Sequence, residues 1–145
     1  MTEVTEGDLN SEDYGAFWPE RIHVGSGWWS LLADTHRQLS EVWPEYEIAQ
    51  VKEKWGGLRI YLRYPLPQDD SDDLALWRLH GVCEAILEAA EAESMLTCEY
   101  CGAPGVRRDS GWIKTTCDAD SGGAAPSSLR SVRSGAVVHH WRPQE

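Results

Sequence analysis

The chain has 145 residues, of which 41% are hydrophobic and 26% charged, a composition typical of a globular domain and not of a disordered chain. Its 13 basic and 24 acidic residues give a formal charge of −11, which argues against a partner held by phosphate neutralisation and suits a basic protein partner. No apolar run is long enough to span a bilayer and the first residues are acidic, so we expect a cytoplasmic protein that does not enter a membrane.

Residues 1–20 contain six acidic side chains and no Lys or Arg, which predicts a solvated, partly mobile arm. An alternative is that this arm docks on a basic partner, with Tyr14, Phe17 and Trp18 as its anchors. Residues 21–95 follow as the predicted core.

Two helices are predicted in this core. Apolar residues from Trp28 to Val42 recur at helical spacing, and Pro44 ends that segment. A second helix is predicted over 72–93. Its apolar stripe consists of Leu76, Leu79, Val82, Cys83, Ile86, Leu87 and Ala90.

Between the two helices, the hydrophobic period changes to two from Glu47 to Tyr64, which is typical of strands. Strict alternation places Ile48 and Val51 on opposite faces. Gly56-Gly57 separates the two runs and predicts a tight hairpin turn, because such turns need positive φ angles. We therefore predict an α+β fold in which two helices pack on a β-hairpin or small antiparallel sheet.

The cysteines predict a metal site. Cys98 and Cys101 are separated by two residues and followed by Gly102, which allows a tight turn around one ion. Fifteen residues lie between Cys101 and Cys117, which leaves room for a small hairpin, and Asp120 completes a C-x2-C-x15-C-x2-D frame. Three thiolates favour zinc, so residues 96–120 are predicted to form a zinc-ribbon-like subdomain with a structural Zn²⁺.

The fourth ligand has several candidates. Asp120 has the spacing of a ribbon ligand, and Cys83 is the remaining thiol. Residues 121–145 are predicted to form a Gly/Ser-rich loop and a final strand over 136–141, which would bring back either His139 or His140. The remaining alternatives are a site that holds no stable zinc and an open fourth position, which a zinc-dependent hydrolase or deaminase would use to bind water.

No catalytic residue is assigned, because the chain contains no Gly-rich phosphate loop, no H-E-x-x-H and no G-x-S-x-G. Basic side chains concentrate in the predicted hairpin, where the candidate binding residues are Lys52, Lys54, Arg59 and Arg63. Trp112 lies among further basic residues after Cys101, and such interleaving is typical of single-strand binding. The alternative is an ordinary solvated sheet face whose charges pair with the acidic second helix.

Two blocks of the sequence resemble segments of other proteins. They are Gln50–Tyr61 (QVKEKWGGLRIY) and Cys98–Gly105 (CEYCGAPG) with Gly111–Cys117 (GWIKTTC). The chain resembles a group of small bacterial and prophage proteins over about residues 27–120. The resemblance implies a zinc-ribbon-like element, in which relatives usually place His where this chain has Asp120, and an accessory or immunity role.

The sequence thus favours a non-catalytic, zinc-stabilised protein-interaction module that acts as an inhibitor, immunity or phage accessory protein on a basic partner. The alternatives are a nucleic-acid-binding zinc ribbon and a zinc-dependent enzyme.

Overall fold

The structure is a computed structural model that describes residues 22–127, with the side chains of residues 70–72 excepted. The acidic arm over 1–20, the predicted strand over 136–141 and both His139 and His140 lie outside the described residues. The elements, in chain order, are β1 (Ile22–His23), a 3₁₀ turn (Ser26–Trp28), α1 (Trp29–Val42), β2 (Glu47–Lys54), β3 (Gly57–Arg63), α2 (Asp70–Ser94), β4 (Val106–Ser110) and β5 (Trp112–Thr116).

The α+β class is confirmed. Strands β2 and β3 form the predicted antiparallel hairpin, and β1 adds a short parallel edge, in which Ile22 pairs with Val51. A separate two-stranded sheet is formed by β4 and β5 in antiparallel register, from Val106 opposite Thr116 to Ser110 opposite Trp112. Within 22–127, no helix has both the length and the apolar composition needed to cross a bilayer.

The main core lies between the two helices and the inner face of the three-stranded sheet. α1 packs against α2, and α2 also packs against β3. The largest fully buried apolar side chains of this core are Trp28, Leu32, Leu39, Ile48, Leu58 and Val51. Helix α2 contributes Cys83, Leu87 and Ala90 to it, as its stripe predicts, but Val82 is 46% exposed. Val82 was wrongly placed in the core, because one residue rotates a helix by about 100° and carries it away from Cys83.

A bulge in β2 corrects the predicted alternation. Ile48 pairs with Leu62 whereas Gln50 pairs with Tyr61, so Ala49 is the extra residue on β2. The extra residue resets the side-chain period, and both Ile48 and Val51 therefore reach the core. The prediction that they occupy opposite faces was wrong, since alternation holds only where pairing is regular.

The hairpin turn lies one residue earlier than predicted. Trp55 and Gly56 are its two central residues, with φ of 57° and 80°, and Gly57 already pairs with Lys54 in the ladder. Two positive φ angles in a two-residue loop are typical of a type I′ turn. Gly57 lies in the strand, where a Cβ would be 2.9 Å from the Met95 Cε atom.

We expect Trp55→Asn to stabilise the protein by about 0.5–1 kcal/mol, because Asn tolerates positive φ far better than Trp. Urea denaturation measures this change. Trp112→Asn is the control: Trp112 is also exposed, at 75% against 51% for Trp55, but has no positive φ, so the same replacement in β5 should be neutral or mildly destabilising. A loss of stability in Trp55→Asn would show that contacts of the indole outweigh the backbone strain.

Candidate metal centre

The first half of the site is a tight turn that follows α2. The Gly102 N–H donates to the Cys98 carbonyl at 3.0 Å, and the Cys98 N–H donates to the Ala103 carbonyl at 2.8 Å. Gly102 has a φ of 79°, the left-handed conformation that glycine adopts without strain. This turn places the side chains of Cys98 and Cys101 beside each other, as their spacing predicts.

The second half is delivered by the β4–β5 hairpin. Strand β5 ends at Thr116, directly before Cys117, and the Glu99 N–H donates to the Thr115 carbonyl at 3.0 Å. That bond ties β5 to the first cysteine turn. Beyond Cys117, the chain turns at Asp118 and brings Asp120 back to the sulfur atoms. The predicted small hairpin between the cysteines is thus confirmed.

The four candidate ligand atoms, from Cys98, Cys101, Cys117 and Asp120, all lie within 4.8 Å of one another. The Cys101 and Cys117 Sγ atoms are 3.6 Å apart, and Asp120 Oδ2 lies 3.3 Å from the Sγ atoms of both Cys98 and Cys117. Zn–S bonds of about 2.3 Å and a Zn–O bond of about 2.0 Å in a tetrahedron imply S–S and S–O separations of roughly 3.8 and 3.5 Å. The donor set can therefore hold a metal ion, and its dimensions are compatible with Zn²⁺.

Burial and hydrogen bonding within the cluster shift the pKa values of the candidate ligands. Burial opposes ionisation of the Cys98 thiol, but backbone N–H groups of Cys117, Cys101 and Tyr100 outweigh it and lower its pKa. For Cys101, the Ala103 N–H favours the thiolate, yet hydrogen bonds to Asp120 and the other two thiols raise its pKa to about 12.

The pKa of the Asp120 carboxylate is lowered, whereas that of the Cys101 thiol is raised. Hydrogen bonds from the Cys101, Cys117 and Cys98 thiols lower the pKa of Asp120. The Asp120 carboxylate thus accepts hydrogen bonds from the thiols, and a bound metal ion would replace those thiol protons.

The other candidate ligands are separated from this cluster or are not described. Cys83 is fully buried in the main core on α2 and does not belong to the cluster. Within the described residues, Asp120 thus supplies the fourth candidate ligand atom, which the fold places beside the three thiols.

A buried ion network, which the sequence analysis missed, fixes the cysteine turn to the core. Glu99 is 3% exposed, and its carboxylate accepts from the Lys114 Nζ atom at 2.9 Å and from the Gly25 N–H at 3.1 Å. Lys114 also donates to Glu53 on β2 at 2.9 Å. Burial lowers the pKa of Lys114, but the two carboxylates outweigh this effect and raise it.

The turn of the β2–β3 hairpin is a second attachment point. The Arg107 side chain donates to the Trp55 carbonyl at 3.0 Å, and the Thr115 hydroxyl donates to the Gly56 carbonyl at 2.6 Å. Trp28 adds a third link, because its indole N–H donates to the Thr97 carbonyl at 2.8 Å. The metal subdomain is therefore fastened to the core by polar contacts from three sides.

The predicted basic binding residues do not form one free patch. Arg59 pairs with Glu91 of α2 at 3.2 Å, as the alternative interpretation of a charge-paired sheet predicts. Lys52 lies 5.4 Å from the centre of the Tyr61 ring, which suits a cation–π contact. Lys54 is half-buried and Arg63 is exposed.

Basic residues of the second hairpin are also engaged. Arg108, which is 5% exposed, donates to the carbonyls of Thr116 and Ala124 and to the Asp118 carboxylate. By contrast, Trp112 is 75% exposed.

No family model matches the chain, and comparison with curated proteins and with solved structures gives no match either. The function is therefore inferred from the residues of the site itself.

Proposed function

We propose that this protein is a non-catalytic interaction module whose C-terminal subdomain is stabilised by one structural zinc ion. The cluster of Cys98, Cys101, Cys117 and Asp120 supports this proposal most directly, because it supplies a full tetrahedral donor set from the protein. A hydrolase or deaminase needs a metal position open to water, which four protein ligands would occupy. The donor count thus favours a structural over a catalytic ion.

The proposed partner is a basic protein, on which this module would act as an inhibitor, immunity or phage accessory protein. The charge of −11 supports electrostatic attraction to such a partner. Trp112 and Tyr100 offer aromatic anchors: they are 75% and 49% exposed and line the same shallow cavity of about 520 Å³ on the metal subdomain. Exposed Trp and Tyr side chains are typical of binding hot spots.

Nucleic-acid binding is the alternative function, and exposed Trp112 favours it as a stacking platform. The cations around it weaken this alternative, because Lys114 and Arg108 are already paired with carboxylates. Titration of binding to single-stranded and duplex oligonucleotides at rising salt separates the two functions. Oligonucleotide binding that weakens steeply with salt would favour nucleic acid over protein.

Metal analysis of the purified full chain tests the zinc site. We expect one zinc per chain, and a reduced zinc content in Asp120→Ala, whereas His139→Ala and His140→Ala should keep the wild-type stoichiometry. Metal-free wild-type protein, or loss of zinc only in a histidine variant, would contradict the proposed ligand set.

Binding assays against products of neighbouring genes test the partner. We expect a basic protein to bind at low salt and Trp112→Ala to weaken that complex at least about tenfold. Leu66→Ser is the matched control, because Leu66 is also highly exposed, at 86%, but lies outside the metal subdomain. Equal binding by both variants would remove Trp112 from the interface, and no protein partner at low salt would count against the proposal.

A further inference from the structure

The outer face of α2 carries small and apolar residues over five turns, interrupted by one Arg and one Glu. Along this face, exposed residues follow the three- and four-residue spacing of one helix stripe: Leu74, Arg78, Gly81, Ala85, Glu88 and Ala92. Trp77 and Val82 flank it and are 73% and 46% exposed. A solvent-facing helix surface normally carries mostly charged residues, so this surface is unusually apolar.

The shape of this face suits a second helix. A groove of about 850 Å³ runs along it, lined by Trp77, Gly81, Ala85 and Ala89 of α2 and by Gln38 of α1. A Cβ added at Gly81 would meet no atom within 4 Å, so the centre of the face is open. Small residues at the centre of a helix face allow another helix to approach closely.

We propose that this face pairs with the same face of a second copy, with the two α2 helices antiparallel and the two-fold axis at the level of Cys83 along the helix, on the side opposite to the core that Cys83 enters. In that register, a residue that precedes Cys83 in one copy faces the residue of the second copy that follows Cys83 by the same number of positions. Gly81 faces Ala85 of the second copy, which brings small residues together at the axis. Trp77 faces the second copy's Ala89, so that each indole enters the groove of the other chain.

Charge supports this register over other arrangements. The same symmetry sets Arg78 opposite Glu88 of the second copy, and therefore gives two opposite-charge pairs across the axis. Both residues are exposed, and neither forms an ion pair within the chain among the residues that the structure describes. A parallel pairing would instead place Arg78 beside Arg78 and Glu88 beside Glu88, which repel.

Sedimentation equilibrium of the full chain tests the pairing. We expect a reversible dimer with twice the chain mass of 16.3 kDa. A wild-type protein that stays monomeric up to about 1 mM would overturn the proposal and leave the face to a different occupant.

Charge reversal tests the register. Arg78→Glu and Glu88→Arg should each weaken the dimer at least about tenfold, and the double variant should regain most of the lost affinity. Glu45→Arg, the same charge change at an exposed loop residue, should leave the dimer unchanged. A dimer that is indifferent to both single reversals, or a double variant weaker than either, would overturn the antiparallel register. This outcome is independent of zinc content and of partner binding.

Discussion

Replacing Cys98 by Ala is expected to abolish stoichiometric zinc binding and to unfold the segment from Cys98 to Asp120. Cys98 is fully buried, its Sγ atom lies 3.3 Å from Asp120 Oδ2 within the ligand cluster, and Ala has no donor atom to replace it. Structural zinc in small domains supplies apparent binding free energies of about 10–16 kcal/mol, much of which is folding free energy. We therefore expect the free energy of unfolding to fall by at least about 3 kcal/mol.

Cys83→Ala is the matched control for this prediction. Cys83 is also fully buried, but it lies in the main core on α2 and outside the ligand cluster. Its replacement should keep one zinc per chain and cost only about 1 kcal/mol. Hydrogen exchange should show early opening of residues 98–120 in Cys98→Ala alone. Retention of zinc in Cys98→Ala, or its loss in Cys83→Ala, would refute the assignment of the ligands.

The metal cluster was predictable because its chemistry is encoded locally. A pair of cysteines two residues apart, followed by Gly102, forms a turn whose geometry depends little on the rest of the fold. Cys117 and Asp120 are likewise separated by two residues, and the segment between Cys101 and Cys117 is long enough for a hairpin. The sequence left the fourth ligand open, because it could not show which distant side chain would reach the sulfur atoms.

The β2–β3 hairpin shows that hydrophobic periodicity predicts strands but does not locate the bulge and the turn within them. Its existence followed from alternation around Gly56, but the bulge at Ala49 and the turn at Trp55 did not. Trp55 takes the positive φ of the turn, whereas Gly57 pairs within the ladder and lies close to Met95. Two adjacent glycines therefore indicate that a turn is present without fixing which two residues form it.

The network of Glu99, Lys114 and Glu53 was not predictable for a related reason. Its members come from the cysteine turn, β5 and β2, and each appears polar and solvent-facing in its own segment. Their burial arises only when the metal subdomain meets the hairpin. The contacts also show that Lys114 and Arg59 join elements of the fold through ion pairs with Glu53 and Glu91.

Gly27→Ala is expected to destabilise the protein by about 3 kcal/mol or more, because two backbone segments meet at this residue without room for a side chain. A Cβ on Gly27 would lie 2.2 Å from the Cys98 carbonyl oxygen and 2.6 Å from the Glu99 carbonyl carbon. The Gly27 N–H also donates to the Glu99 carbonyl at 2.8 Å, which holds the two segments together. Relief of the clash requires the cysteine turn to move away from the core.

Gly81→Ala provides the control, because a Cβ there meets no atom within 4 Å and Ala favours the helix interior by about 1 kcal/mol over Gly. Measured by urea denaturation at low protein concentration, the two Gly→Ala changes should therefore have opposite signs. Gly27→Ala should also weaken zinc binding, since displacement of the turn moves Cys98 with it, whereas Gly81→Ala should not. If Gly27→Ala retained wild-type stability and zinc affinity, the metal subdomain would not be held against the core by this contact, and its attachment would have to rest on the side-chain contacts of Glu99, Thr115 and Trp28.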